Sequence, residues 1–189
     1  MCLLCDDDEV FSRNYEEGIL TAYRDLPEAD VIIFNIGNRP AHWGDMPKKL
    51  GYLDLMHVAS WQISFKRESI VNNNVYFDEH MGAGSGNGAE EEFRFLTDCR
   101  KNGLAIYYVP FVIADVAQTK STWFKGYNEE FFINRGNTTR YIMGYVPAVL
   151  YAAYYSIRKR HQFDSDISWF KAFRLIMKGI HENRLGKKK

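Results

Sequence analysis

The most constraining feature of the sequence is a strand, helix, strand pattern at its start. The apolar run MCLLC (1–5) predicts a buried strand, and residues 14–26 place Ile19 and Tyr23 on one helical face. The β-branched run DVIIFNI (30–36) predicts a second buried strand. Two strands joined through a helix are typical of a parallel α/β sheet covered by helices on both faces. The pattern therefore predicts an α/β fold with three layers and a mixed, mainly parallel sheet.

Periodicity predicts the remaining elements. Short apolar runs predict three further strands, at 56–65, 73–78 and 104–113. Helical spacing predicts helices at 66–72, 89–102, 146–160 and 166–181, and the run MGAGSGNG at 81–88 predicts a glycine loop. We expect one domain over residues 1–145 and a helical basic tail over residues 146–189.

Composition narrows the class of protein. The chain has 189 residues, enough for one well-filled core, and no apolar stretch long enough to predict a membrane span. Its cysteines, Cys2, Cys5 and Cys99, show no paired metal-type spacing. With no secretory signal before them, we expect a soluble protein in a reducing compartment, the cytoplasm.

The charges are distributed unevenly although the formal net charge is zero. Residues 1–30 contain nine acidic and two basic residues, whereas residues 158–189 contain ten basic and three acidic ones. This asymmetry indicates a cation site near the start and an anionic partner for the tail, unless both ends are simply solvated.

An amphipathic helix followed by RLGKKK suits the anionic inner surface of a membrane, but the same helices could instead pack onto the domain. Little aromatic interleaving accompanies the basic residues, so we expect no nucleic-acid partner.

Three adjacent aspartates follow the first predicted strand. Asp6, Asp7 and Asp8 repel one another, so a cation, a helix N-terminus or solvent must offset their charge. In parallel sheets ligands collect at the carboxyl ends of strands, where these residues fall. Mg²⁺ or Mn²⁺ takes one or two carboxylates together with substrate phosphates. The triplet is thus either a metal and diphosphate site or an ordinary acidic surface loop.

A second acidic group follows the glycine loop, in the segment AEEEF at 89–93. Its glutamates fall in the first turn of a predicted helix, where the helix dipole favours the ionised form. A carboxylate there could serve as a general base, and the alternative is an ordinary capped helix with solvated glutamates. The glycine loop lacks the GxxxxGK pattern of a phosphate cradle.

Taken in order, these motifs resemble a known enzyme family. LLCDDDEVF, PEADVIIFNI, SWQISFKRESI, VYFDEHMGAG and EEEFRFLTDCRKNGLAIYYVP, followed by a basic helical tail, are similar to the bacterial family 2 glycosyltransferases of the GT-A fold. The resemblance implies inverting transfer of a sugar from a nucleotide-sugar donor to an acceptor hydroxyl, on a sugar or lipid-linked sugar. It implies help from Mg²⁺ or Mn²⁺ and a role in polysaccharide or glycoconjugate synthesis.

The resemblance also implies residue roles. Asp6 and Asp8 match the DxD metal motif, with Asp7 between them in the donor site. Glu91 and Glu92 match the family's Glu-Asp motif, with Glu92 as the catalytic base and a glutamate where relatives carry an aspartate. Many relatives have a metal-binding histidine after the YYVP strand. Asp115 lies nearest that place here, either as a replacement ligand or as a surface acid.

In the family, at least two strand-helix units that bind the nucleoside precede the DxD strand. We therefore expect this chain to correspond to the C-terminal part of such an enzyme, with little or no transferase activity in isolation. The strand at 1–5 would then expose an edge, which predicts pairing with a second copy of the chain. The alternative function is a catalytically silent module that binds an acceptor or acts as a scaffold.

Overall fold

The computed structural model describes residues 1–39, 42–82, 85, 90–117 and 126–187. The chain divides into two compact units. The first consists of Met1–Asp78 and Glu90–Lys120, and the second of Glu79–Ala89 and Ser121–Lys189. Most of the predicted glycine loop, residues 83, 84 and 86–88, lies outside the described residues, as do residues 188 and 189 of the tail.

The first unit is a mixed sheet with three helices, which confirms the α/β class. Its strands are β1 (Cys2–Leu3), β2 (Glu9–Phe11), β3 (Val31–Ile36), β4 (Lys48–Lys49), β5 (Ile63–Phe65) and β6 (Ile106–Val116). Its helices are α1 (Tyr15–Asp25), α2 (Arg67–Asn72) and α3 (Glu91–Lys101), with 3-10 turns at Asp54–His57 and Ser60–Gln62.

The sheet is mixed rather than mainly parallel, so that part of the prediction is wrong. The strand order is β1-β5-β3-β6-β2, and β4 also pairs with β6. Only β3 and β6 pair in parallel among the described strands, with Val31 opposite Ile106. The other pairings are antiparallel. The physical reason is that β5 enters the sheet between β1 and β3, so the predicted neighbours do not pair.

The strand directions nevertheless place several carboxyl ends at one edge. Since β5 is antiparallel to both β1 and β3, those two strands run in the same direction, and β6 is parallel to β3. Residues 6–8 follow β1 and Gly37 follows β3, so both lie at this edge of the sheet. The predicted placement of the aspartates at a carboxyl edge is therefore correct, although the sheet is built differently.

The core of this unit forms where α1 packs on the sheet. Ile19, Ala22 and Tyr23 of α1 pack with Ile32 and other apolar residues of β3 and β6. The Tyr23 hydroxyl lies 3.0 Å from Ser64 Oγ, so the polar end of this buried ring has a partner. Burial raises the pKa of Tyr23.

Some predicted elements differ from the observed ones. The strand expected over 1–5 is only the two residues of β1, which is half-buried rather than buried. Half of the strand expected over 56–65 lies in 3-10 turns, and only β5 is a strand. The strand expected over 73–78 is wrong, because Asn74 has a φ of 51° and the Val75 N–H bonds back to the Ile70 carbonyl. That segment closes α2 instead of pairing in the sheet.

The second unit contains three helices, α4 (Glu129–Met143), α5 (Tyr145–Arg158) and α6 (Trp169–Glu182), with 3-10 turns at Arg160–Gln162 and Leu185–Lys187. Helices α5 and α6 confirm the prediction, whereas α4 was not predicted and lies before the expected boundary at residue 145. Gly136 of α4 and Gly179 of α6 allow close contact: a Cβ on either would overlap a backbone carbonyl of the opposite helix. The tertiary contact thus explains why α4 carries a glycine at mid-length.

Candidate active site

The aspartate triplet forms the connection between β1 and β2. The Asp6 N–H donates to Glu9 Oε1 at 2.7 Å, and the Asp8 carbonyl accepts from the Ala117 N–H at 2.9 Å. The side chains of Asp6 and Asp7 are exposed and that of Asp8 is half-buried. Solvent therefore reaches the triplet, while the backbone on either side of it is fixed to the sheet.

Glu9 is a member of this loop that sequence reasoning did not select. Its Oε1 accepts the Asp6 N–H, and its Oε2 is buried with no hydrogen-bond partner among the described residues. Burial raises the pKa of Glu9, and the charges of Asp6 and Asp8 raise it further. The available sequence signal was the Asp-x-x-Glu spacing, in which a carboxylate can accept a backbone N–H three residues earlier.

Glu92 lies in the first turn of α3, as predicted. The pKa of Glu92 is raised to about 7, mainly by burial and also by the negative charges of Glu91 and Asp6, while a hydrogen bond from its own N–H acts in the opposite direction. The contribution of Asp6 means that the two carboxylates interact electrostatically although they lie far apart in the sequence. The charge of one predicted metal ligand therefore acts on the predicted base.

Aromatic packing and an ion pair fix the position of α3, the helix that carries Glu92. Phe93 and Phe95 are buried, and the Phe95 ring stacks on Phe77 with centroids 4.5 Å apart. An ion pair joins Arg94 Nε and Asp98 Oδ2 at 2.7 Å on the same helix. A carboxylate that projects from such a helix keeps its position better than one on a loop.

The turn Ser60–Gln62 borders the triplet. Ser60 Oγ donates to Asp6 Oδ2 at 3.4 Å, a long contact that leaves the carboxylate mostly available. The Gln62 amide ties the turn to the sheet, since its Nε2 donates to the Phe34 carbonyl at 2.9 Å. The Arg39 guanidinium lies 5.9 Å from the centre of the Trp61 ring. An aromatic ring therefore lies on the same turn as Ser60, with a cation from the segment after β3 beside it.

Asp115 lies on β6, opposite Val10 of β2, and is exposed. Its carboxylate covers Gly37, where an added Cβ would come 2.5 Å from Asp115 Oδ1. The described residues contain no group of three or more His, Cys, Asp or Glu side chains arranged to hold a metal ion. Asp6, Asp8 and Asp115 are all described, so the three predicted ligands do not form one group here.

The donor chemistry nevertheless suits a cation that is only partly held by protein. Mg²⁺ commonly takes one or two carboxylates and completes its shell with water and phosphate oxygens. Asp6 and Asp8 can provide two such carboxylates, and the unpaired Glu9 Oε2 is a further oxygen acceptor in the same loop. The loop fits an open site of this kind and not a closed cage of protein ligands.

Comparison with known proteins names no family for this arrangement. No family model matches the chain, and a search of curated proteins finds no match. The site therefore has to be interpreted from its own geometry, in which an exposed acidic loop and a partly buried glutamate of raised pKa interact at one edge of a mixed α/β sheet.

Proposed function

We propose that the first unit is a glycosyltransferase domain in which Glu92 acts as the general base. In this reaction the acceptor hydroxyl gives its proton to Glu92 while its oxygen bonds to the anomeric carbon of a nucleotide sugar. The bond from that carbon to the diphosphate oxygen breaks, with inversion at the carbon. The observation that carries the proposal is the pKa of Glu92, which lies near 7 in the electrostatic field of Asp6.

The raised pKa suits a base at neutral pH. An ordinary carboxylate is a weak proton acceptor, whereas one with a pKa near the working pH combines basicity with a substantial ionised fraction. Burial is the main cause of the shift, and the adjacent Glu91 adds to it, so we assign Glu91 a supporting electrostatic role. The glutamate side chain is one methylene longer than the aspartate of the family's Glu-Asp motif, so the base reaches further from α3.

Asp6 and Asp8 would hold Mg²⁺ or Mn²⁺, with Asp115 as a third candidate, and Asp7 would lie beside the donor diphosphate. When bound, the cation supplies positive charge that stabilises the departing nucleoside diphosphate, an effect worth several kcal/mol in metal enzymes. The acidic loop would remain open to solvent on the side where its carboxylates are exposed. A bound cation would also offset the negative charge of Asp6, and this would lower the pKa of Glu92 towards that of an ordinary carboxylate.

Calorimetry with Mn²⁺ and a nucleoside diphosphate, followed by assays with a panel of nucleotide sugars, tests the proposal. We expect the two ligands to enhance each other's binding, Asp8→Asn to abolish that linkage, and Glu92→Gln to leave it intact. Glu92→Gln should reduce any transfer rate by about 10²- to 10⁴-fold, the usual contribution of a general base. Asp164→Asn, at an exposed acid in the second unit, is the control for charge removal. Absence of linked binding would contradict the proposal and favour the silent acceptor-binding module.

A further inference from the structure

The solvent-facing side of α5 is apolar. Val146, Leu150, Tyr154 and Ile157 have exposed fractions of 66%, 67%, 52% and 55%. Their spacing of four, four and three residues places them on one face of the helix. No charged residue occurs between Tyr145 and Ile157. We call these four residues the α5 stripe.

The α5 stripe does not pack in the core, because α5 buries a different face of the helix. Ala148, Ala152 and Tyr155 belong to the core of the second unit together with residues of α4 and α6. The Tyr155 ring stacks on Phe163 with centroids 6.0 Å apart. The helix is therefore apolar on both sides, whereas a helix at the surface of a globular domain normally carries polar residues on its outer side.

Basic and aromatic residues accompany the stripe. The exposed residues Arg158 and Arg160 follow its last member directly in the sequence. Trp169 and Phe170, at the start of α6, are exposed to 46% and 56%. The described part of the chain from residue 126 to residue 187 contains ten basic and five acidic residues. An apolar face, flanking cations and surface aromatic rings together match the physical requirements of a helix that lies in a membrane interface.

We propose that the α5 stripe docks the second unit onto an anionic lipid surface, with the helix lying in the plane of the interface. Charge complementarity between the basic residues and anionic headgroups selects this occupant over a neutral or cationic surface. Within the described residues no helix combines the length and apolarity needed to cross a bilayer. The inference is independent of the proposed sugar transfer. It places the membrane contact predicted for the basic tail on the outer face of α5.

Vesicle co-sedimentation of the full chain tests the docking. We expect binding to vesicles of about equal phosphatidylglycerol and phosphatidylcholine, and much weaker binding to phosphatidylcholine alone. Binding should also fall at about 1 M salt, where electrostatic attraction is screened within about 3 Å. Leu150→Glu should weaken vesicle binding by roughly tenfold or more, because it replaces an apolar side chain that docking would bury with a charge of the wrong sign.

Leu53→Glu is the matched control, since Leu53 is a leucine of the first unit with a similar exposed fraction of 70%. It should bind vesicles as the parent chain does. Equal binding by the Leu150→Glu and parent chains would overturn the proposal. A concentration-dependent dimer that Leu150→Glu disrupts, in a chain that binds no anionic vesicle, would also overturn it and identify a second copy as the occupant. Arg158→Glu provides a second test, because it should reduce binding at low salt without altering the apolar face.

Discussion

The charge of Asp6, on the loop after β1, raises the pKa of Glu92, on the first turn of α3. The roles that the family resemblance implies put these two acidic segments in one site, which requires their charges to interact. The interaction gives the first prediction. Asp6→Asn should lower the pKa of Glu92, because it removes a negative charge that disfavours ionisation of its carboxyl.

An NMR titration that follows the glutamate carboxyl carbons measures this change. Asp7→Asn is the control, since Asp7 is not among the groups that shift the pKa of Glu92. An unchanged or higher pKa in Asp6→Asn would show that the two carboxylates do not interact.

The second prediction concerns stability and pH. The pKa of Glu92 is raised in the folded chain to about 7, from 4.5 for an unperturbed glutamate, so the folded state binds more protons between those values. The stabilisation from the protonated form is complete below about pH 4.5 and is lost as the pH rises through 7. Glu92→Gln, which cannot ionise, should therefore be more stable than the parent chain at pH 8, by on the order of 1–3 kcal/mol. The two should be similar near pH 4.

Urea unfolding across this pH range provides the measurement. Glu68→Gln, at an exposed position of α2, should show no such pH-dependent difference. If Glu92→Gln and the parent chain kept the same stability difference at every pH, the raised pKa of Glu92 would be refuted.

The third prediction concerns the contact between α4 and α6. Gly179→Ala should destabilise the second unit by about 1–3 kcal/mol or more, because the added methyl group overlaps the Ile133 carbonyl and the backbone must move. Gly51→Ala is a control, since a Cβ there would lie 3.4 Å from Asp54 Oδ2. In thermal unfolding followed by circular dichroism, the transition temperature should fall for Gly179→Ala and stay unchanged for Gly51→Ala. Unchanged melting would mean that the helices are not in close contact there.

The fourth prediction concerns β1, which pairs only with β5 among the described strands. The Leu4 N–H donates to the Ile63 carbonyl, so the alternating pattern directs the Leu3 N–H away from β5. We expect two copies of the chain to pair through this edge, as the sequence predicts. Leu3→Pro removes the outward donor and should weaken the dimer.

Sedimentation at several concentrations tests this pairing. Leu150→Glu, on the α5 stripe, is the control and should leave the dimer unchanged. A parent chain that stays monomeric at all concentrations, or a Leu3→Pro dimer as strong as that of the parent, would contradict pairing through β1.

The agreement between sequence and structure depends on the range of the interactions involved. Helices α1, α3, α5 and α6 and strand β3 were predicted because each has a clear periodicity or a β-branched run of its own. Helix α4 was missed because its packing depends on Gly136, and a mid-helix glycine is favourable only when a second backbone approaches it. The prediction of a mainly parallel sheet was wrong because β5 is three residues long and its position depends on hydrogen bonds to two distant strands.

The amino-acid sequence alone identifies the candidate carboxylates, since runs such as DDD and EEE are visible locally, and it predicts helices α5 and α6. The pKa of Glu92 near 7 and the contribution of Asp6 to it depend on burial and contacts that exist only in the folded chain. The fold also turns Tyr155 towards the core and its neighbour Tyr154 towards solvent. Periodicity follows from neighbouring residues, whereas desolvation and charge interactions depend on which distant segments the fold brings together.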